Sequence, residues 1–339
     1  MKALLTEESH AFISKLFLLL SIPTYVVTRY VIVAPFGRHV QDSKKYRWWF
    51  GPQLDAKLSW FIFESPNLIW SWYCYCYLRD SEIMSSAAMI SFDNNQLQLS
   101  SNAMLLALFT LHYINRAIIY PLRMNSNSHR VPLLVTASAM IVTILNGYIQ
   151  SFHLVRVHKL PPLTLPPSSW INLLSLLGIL VFVVGMTINI TADGVLRNLR
   201  RQRNSDGGNN QKTYYIPQHP LFTYISCPNF FGEILEWFGF AIASKFSLPA
   251  MAFFIYTSSN LVPRAIAHHE WYKQKFKDYP LERKWAVIPF VVWLFLMINN
   301  NILWYLRYNN QTHTFHTQLI TLNMLLPIIV TSIYLLHHV

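Results

Sequence analysis

Three apolar runs of this chain carry ionisable side chains for which a lipid-facing helix has no use. WFIFESPNLIW holds Glu64 about two turns into its run, followed by Pro66. LFTLHYINRAIIY holds His112, Tyr113 and Arg116, and FFGEILEWFGF holds Glu233 and Glu236, three apart on one helical face. Such groups inside a membrane are costly and usually functional. A tyrosine hydroxyl bonded to a carboxyl is a donor suited to an oxygen on which negative charge develops. The plainer alternatives stay open: Glu64 as a bond between helices, Tyr113 as an interfacial aromatic.

A second group begins where an apolar run ends. In NITADGVLRNLR, Asp193, Arg197 and Arg200 follow at intervals of four and three, with Asn189 one turn earlier. On a helix they form one polar stripe. Two guanidiniums suit a phosphate or pyrophosphate, and Asn and Asp suit an amide or a ribose. A basic anchor at the membrane edge accounts for the arginines but not for Asn189 and Asp193. Tyr214, Asn229 and Glu233 follow across a polar loop, Asn204 to Gln211. The segment LVPRAIAHHEWYKQKFKDYPLERKW then repeats the chemistry with Arg264, His268, Tyr272, Tyr279 and Arg283. A basic juxtamembrane segment is the alternative there.

The elements that must position these groups are hydrophobic. Of 339 residues 53% are hydrophobic and 12% charged, against about 25% charged in a soluble domain. The fold class expected is all-α, a polytopic transmembrane helix bundle. Spans of about 20 residues are expected at 12–35, 58–78, 102–122, 131–154, 169–191, 229–246 and 247–266, with two more at 286–306 and 317–337. The sixth and seventh should form a tight hairpin through Ser247, Leu248 and Pro249. Lys and Arg gather in alternate connections, as at Lys44 to Arg47, Arg123 to Arg130, Arg197 to Arg203 and Lys273 to Lys284. That places these loops in the cytosol and the N-terminus in the lumen. It also explains the net charge of +12 without a nucleic-acid partner. No cleavable signal precedes the first span, which should serve for insertion. Asn310-Gln-Thr, an acceptor pattern for glycosylation, falls in a lumenal loop. Cys74, Cys76 and Cys227 offer neither a disulfide framework nor a metal site. There is no strand pattern, no Walker motif and no GxGxxG, so a nucleotide would be held by side chains between helices.

Taken together, APFGRH, GPQLDAKLSWFIFESP, LHYINR, NITADGVLRNLR, YYIP, LFTYIS-PNFFGEILEW, PRAIAHHEWY and KDYPLERKWAVIPF closely resemble the steroid 5-alpha-reductase family over roughly residues 30–290. The resemblance implies a seven-span reductase core, 1–290, in the endoplasmic reticulum membrane among lipid. Its cofactor side would be cytosolic and its cofactor NADPH. It implies reduction of the double bond conjugated to the ketone of a 3-oxo-Δ4-steroid or sterol. The cofactor residues would fall on Asn189, Asp193, Arg197, Arg200, Tyr214, Asn229, Glu233, Arg264, His268, Tyr272 and Arg283. The pair polarising the substrate ketone would be Glu64 and Tyr113. No metal is implied. SCPN, at Ser226 to Asn229, also occurs in trans-2-enoyl-CoA reductases. That activity, or a polyprenal reductase, is the alternative within the superfamily; a membrane methyltransferase or a lipid-binding bundle is the alternative outside it. The chain departs from the family in an extension over 291–339, in His219 and Pro220 where small residues are usual, in Ala267 opening a histidine triplet, and in the length of the Asn204–Gln211 loop.

Overall fold

Helices form at all seven expected places, and their ends explain where each begins. The structure, a computed structural model, describes residues 5–31, 51–78, 90–93, 96–125, 130–167, 169–205 and 214–287. Helix α1 (Glu7–Val26) starts at Thr6, whose hydroxyl accepts from the Ser9 N–H at 3.2 Å. Helix α2 (Ala56–Tyr73) starts at Asp55, whose carboxylate accepts from Lys57 and Leu58 at 2.9 and 3.0 Å. Helix α3 (Ser101–Ile114) starts at Ser100, which accepts from Ala103. Each cap satisfies N–H groups that have no partner within the helix. Helices α4 (Leu133–Phe152), α5 (Trp170–Ser205), α6 (Pro228–Ala243) and α7 (Leu248–Lys275) follow. The last two carry proline in their first turn, where the missing N–H costs nothing.

Among the described residues, four helices with their continuations are long and apolar enough to cross a membrane: Glu7–Tyr30, Ser101–Arg123, Leu133–Val157 and Trp170–Leu199. Helix α6 is only 16 residues long, and α2 and α7 carry buried or terminal polar groups. The eighth and ninth expected spans, the 291–339 extension and Asn310 lie outside the described residues. Two expectations are corrected. Short strands do exist: β1 (Gln53–Leu54) pairs with β4 (Val131–Pro132), and β2 (Ile90–Asp93), β3 (Gln96–Leu99) and β5 (Leu163–Leu165) form an antiparallel sheet. They link loops at the helix ends, and two to four residues are too few to carry an alternating pattern. The α6–α7 turn also comes earlier than expected, at Ser244–Ser247, with α7 beginning at Leu248. Lys245 and Phe246 take positive φ there, at 60° and 54°. The Lys245 ammonium fastens the turn to the Ile171 carbonyl at 2.6 Å and to the Ser175 hydroxyl.

What positions the site is the contact between α5 and α6, which run antiparallel. Gly178 and Gly185 on α5 face Gly239 and Gly232 on α6, and a Cβ on any of the four would strike the opposite backbone. Without side chains between them the two backbones touch, and the seam sets Asn189 beside Gly232. Helix α5 has 36 residues, about 54 Å at 1.5 Å per residue. That exceeds a hydrocarbon core of roughly 30 Å, and Asp193 and Arg197 lie toward the helix's C-terminal end as one stripe. Helix α2 packs on α4, and α1 and α6 pack on α7.

Candidate active site

Arg116, one of the ionisable groups that stand out in the apolar runs, is the centre of the arrangement. It sits in a widened turn, Asn115–Ile119, where the Tyr120 N–H bonds five residues back to Asn115. Its guanidinium lies over the neighbouring Trp60 and Tyr120 rings, 5.2 and 5.1 Å from their centroids. From there it meets three carboxylates: Asp193 at 3.4 Å, Glu233 at 3.6 Å and Glu64 at 3.8 Å. Helices α2, α3, α5 and α6 are thus joined through one cation. An unpartnered charge so far from water would be expensive, so three acids from three helices specify where Arg116 must lie.

The amides of the α5–α6 seam extend this cluster. Asn189 donates to the Asn229 carbonyl at 2.9 Å and to Glu233 at 3.3 Å, and Asn229 donates to Asp193 at 3.1 Å. Asn189, Asp193, Asn229 and Glu233, expected to act together, are therefore in mutual contact. Arg197 lies over Tyr120, 5.5 Å from its centroid. With Asp193, Asn115, Arg123 and Ile190 these two line a narrow cleft. Arg264 stacks on Phe230 at 5.1 Å, and His268 lies at 5.7 Å from the same ring. The residue after Asn229 thereby brings the α7 face to the cluster.

A second aromatic group holds the remaining cofactor candidates. Tyr214 meets Trp271, which meets Tyr272, which stacks on Tyr279. Arg283 lies over Tyr279 and donates to the Pro217 carbonyl at 3.0 Å. The segment bearing it is held by Ser226 and Cys227, whose N–H groups donate to Trp285 and Ala286. Arg283 Nε is buried without a hydrogen-bond partner, a donor left for an incoming anion. The departure at His219 and Pro220 is a capped 3-10 turn, Pro220–Phe222, with the His219 ring accepting from Leu221. The side chain of Arg200 lies outside the described residues.

Tyr113 and Glu64, the expected catalytic pair, each meet a further polar partner. Tyr113, 3% exposed, accepts a hydrogen bond from Asn146 at 2.9 Å, whereas Glu64 faces Arg116. His112, next to Tyr113, binds Glu236 at 2.7 Å in a fully buried pair joining α3 to α6. Asn146 is the residue missed from sequence; Arg116, His112 and Glu236 stand out there as ionisable groups in apolar runs, but without their partners. The spacing of three between Tyr113 and Arg116, which puts them on one helical face, was the signal for Arg116; nothing local marks Asn146.

These donors fit a phosphorylated dinucleotide. Arginines, amides and an unpaired guanidinium nitrogen gather near the ends of α5, α6 and α7. Among the described residues no group of histidine, cysteine and acidic side chains is arranged to hold a metal ion.

Comparison with known proteins gives one family model, 3-oxo-5-alpha-steroid 4-dehydrogenase, matching residues 129–292. "Steroid 5-alpha-reductase DET2" of Gossypium hirsutum is 37% identical over 277 residues, covering 80% of this chain and 93% of the relative. "3-oxo-5-alpha-steroid 4-dehydrogenase 1" of Rattus norvegicus is 36% identical over 261 residues, covering 76% and 86%. The protein of the same name from Homo sapiens is 35% identical over 257 residues, covering 76% and 85%.

Proposed function

Because the chain belongs to the 3-oxo-5-alpha-steroid 4-dehydrogenase family, a family of oxidoreductases, we propose that it reduces the Δ4 double bond of a 3-oxo-Δ4-steroid or related sterol, with NADPH as reductant. The observation that carries this reading is the shared cation. Arg116 ties Glu64, beside the apolar early helices, to Asp193 and Glu233 at the arginine-bearing end. A substrate pocket and a cofactor pocket meeting at one point is what hydride transfer requires, since the reacting atoms must come within about 3–3.5 Å.

The residues divide the work. Arg197, Arg264 and Arg283, with Arg200, hold the phosphates; Asn189, Asp193, Asn229 and Glu233 hold amide and ribose; His268, Tyr214 and Tyr272 flank them. Bound there, NADPH supplies a hydride to the β carbon of the enone. Tyr113 donates a hydrogen bond to the ketone oxygen, where negative charge accumulates as the double bond shifts. Glu64 sits on the same side, and its link to Arg116 fixes its carboxyl. The electron pair then returns through the enolate as the α carbon takes a proton. In this reading the enzyme lies in the endoplasmic reticulum membrane with its cofactor end in the cytosol.

Membranes carrying the chain, supplied with NADPH and a panel of 3-oxo-Δ4-steroids, should yield 5α-reduced products by mass spectrometry. Reduction of a trans-2-enoyl-CoA with no steroid product would overturn the reading.

A further inference from the structure

Tyr113 lies at the end of a buried hydrogen-bonded ladder whose direction is fixed by chemistry, and we infer that Asn146 is a positioning residue that keeps the Tyr113 proton free for the substrate oxygen. The inference rests on Tyr113 being the donor proposed above.

The ladder crosses four helices. Gln150 Nε2 donates to the Pro249 carbonyl at 2.8 Å. A backbone carbonyl can only accept, so the –NH2 end of Gln150 must point there. The same nitrogen reaches Asn146 Oδ1 at 3.4 Å. Asn146 therefore turns its oxygen to Gln150 and its –NH2 away. That –NH2 donates to Asn67 Oδ1 at 3.0 Å and to the Tyr113 hydroxyl at 2.9 Å. Asn67 aims its own –NH2 at the backbone carbonyl of Glu64, at 3.5 Å, a second group that can only accept. Amide nitrogen and oxygen are ordinarily interchangeable by a flip; here an acceptor-only carbonyl at each end settles both. Tyr113 must accept from Asn146, and its own proton is not consumed by this network.

Burial makes the direction consequential. Asn67 and Asn146 are 0% exposed and Gln150 2%, so no water restores a reversed bond. If Asn146 presented an oxygen to Tyr113, the phenol would donate inward and the ketone would lose its donor. The backbone leaves little room for the amide to move away. A Cβ on Gly147, the next residue, would lie 3.0 Å from both the Asn67 Cα and the Trp70 ring.

The test is a double-mutant cycle on the full-length protein in membranes, with kcat, steroid KM and NADPH Kd measured for each variant. Tyr113→Phe should lower kcat by about 10²–10⁴-fold. Asn146→Asp replaces the donor by an acceptor and should lower kcat by about 10²-fold, leaving NADPH Kd unchanged. Combined with Tyr113→Phe it should cost nothing further, because it acts through that hydroxyl. Its kcat relative to wild type should rise as pH falls and the new carboxyl, once protonated, donates again. Gln150→Glu, one step along the ladder, keeps the test alive if Asn146→Asp fails to fold; it should lower kcat less and also vanish in the Tyr113→Phe background. Losses that multiply with Tyr113→Phe, or an Asn146→Asp enzyme with wild-type kcat, would overturn the inference while leaving the donor role of Tyr113 intact. Wild-type kcat in Tyr113→Phe would instead overturn the donor reading, and the inference with it.

Discussion

Two polar networks meet in this bundle, and they are made of different materials. Around Tyr113 the groups are neutral amides, Asn67, Asn146 and Gln150. Around Arg116 they are charges, one guanidinium among Glu64, Asp193 and Glu233. A ketone arrives neutral and carries charge only in passing. Oriented dipoles suit it, because they stabilise that charge without holding a permanent counter-charge in place. A cofactor that must be gripped between helices suits fixed charges, which specify position strongly but tolerate no missing partner. The two networks touch at Glu64, whose backbone carbonyl accepts from Asn67 and whose carboxylate faces Arg116.

The largest effect separating them should be on stability. Arg116→Leu strands three acids in the interior and should cost about 3–5 kcal/mol, visible as loss of folded protein or a collapse of Tm in detergent. Asn67→Leu removes one member of the amide ladder and should cost about 1–3 kcal/mol. Equal losses of Tm in the two variants would erase the distinction between the networks. Catalysis should invert the ranking: Tyr113→Phe, with its ladder intact, should keep its Tm while turnover falls by about 10²–10⁴-fold. A Tyr113→Phe protein that loses stability instead would make the phenol a packing group.

How much of this could be read from the chain varies by feature. Seven helices and the stripe of Asn189, Asp193 and Arg197 are legible, because hydrophobic runs and a 3.6-residue period are local. The seam that aligns α5 with α6 is half legible. Gly178 and Gly185, like Gly232 and Gly239, are seven apart, but nothing local says that the two pairs face one another. Arg116 is partly legible: a cation in an apolar run is conspicuous, but the widened turn at Asn115–Ile119 shifts the helical phase where it sits and hides its partners. The Tyr113–Asn146 bond joins positions 33 apart in sequence, and an asparagine in an apolar run names no partner. Pairing between helices is tertiary information, and it decided which acid met which base.

Cofactor discrimination gives a smaller effect. Arg200→Ala should weaken NADPH more than NADH if that guanidinium holds the 2′-phosphate, by about tenfold for a loss of about 1.4 kcal/mol. Equal weakening of both, measured by titration of the purified protein, would assign it to the diphosphate. Arg197→Ala is the comparison, since Arg197 is already engaged with Tyr120 and should affect both nucleotides alike.

The smallest effect concerns a third network, neutral like that of Tyr113 but set among cations. Past the 247–266 segment, Ser226 bonds His269 at 2.5 Å and Tyr279 at 2.7 Å, clasping the Arg283-bearing segment to α7. Burial, with Lys273 and Arg283 nearby, lowers the His269 pKa from its usual value to about 4. An unfolded chain therefore binds a proton at this position between about pH 6.5 and about 4 that the folded chain refuses. Stability contributed here should be complete above pH 6.5, fall as pH drops through that window, and level off below it. His269→Gln keeps a hydrogen-bonding side chain but cannot titrate, so its Tm should fall less on acidification than that of the wild type. The check is the difference between the two Tm-versus-pH curves, which should be constant above pH 6.5 and narrow or reverse toward pH 4. Parallel curves through the whole range would mean that His269 can be charged in place, and that this clasp is not the neutral network its geometry describes.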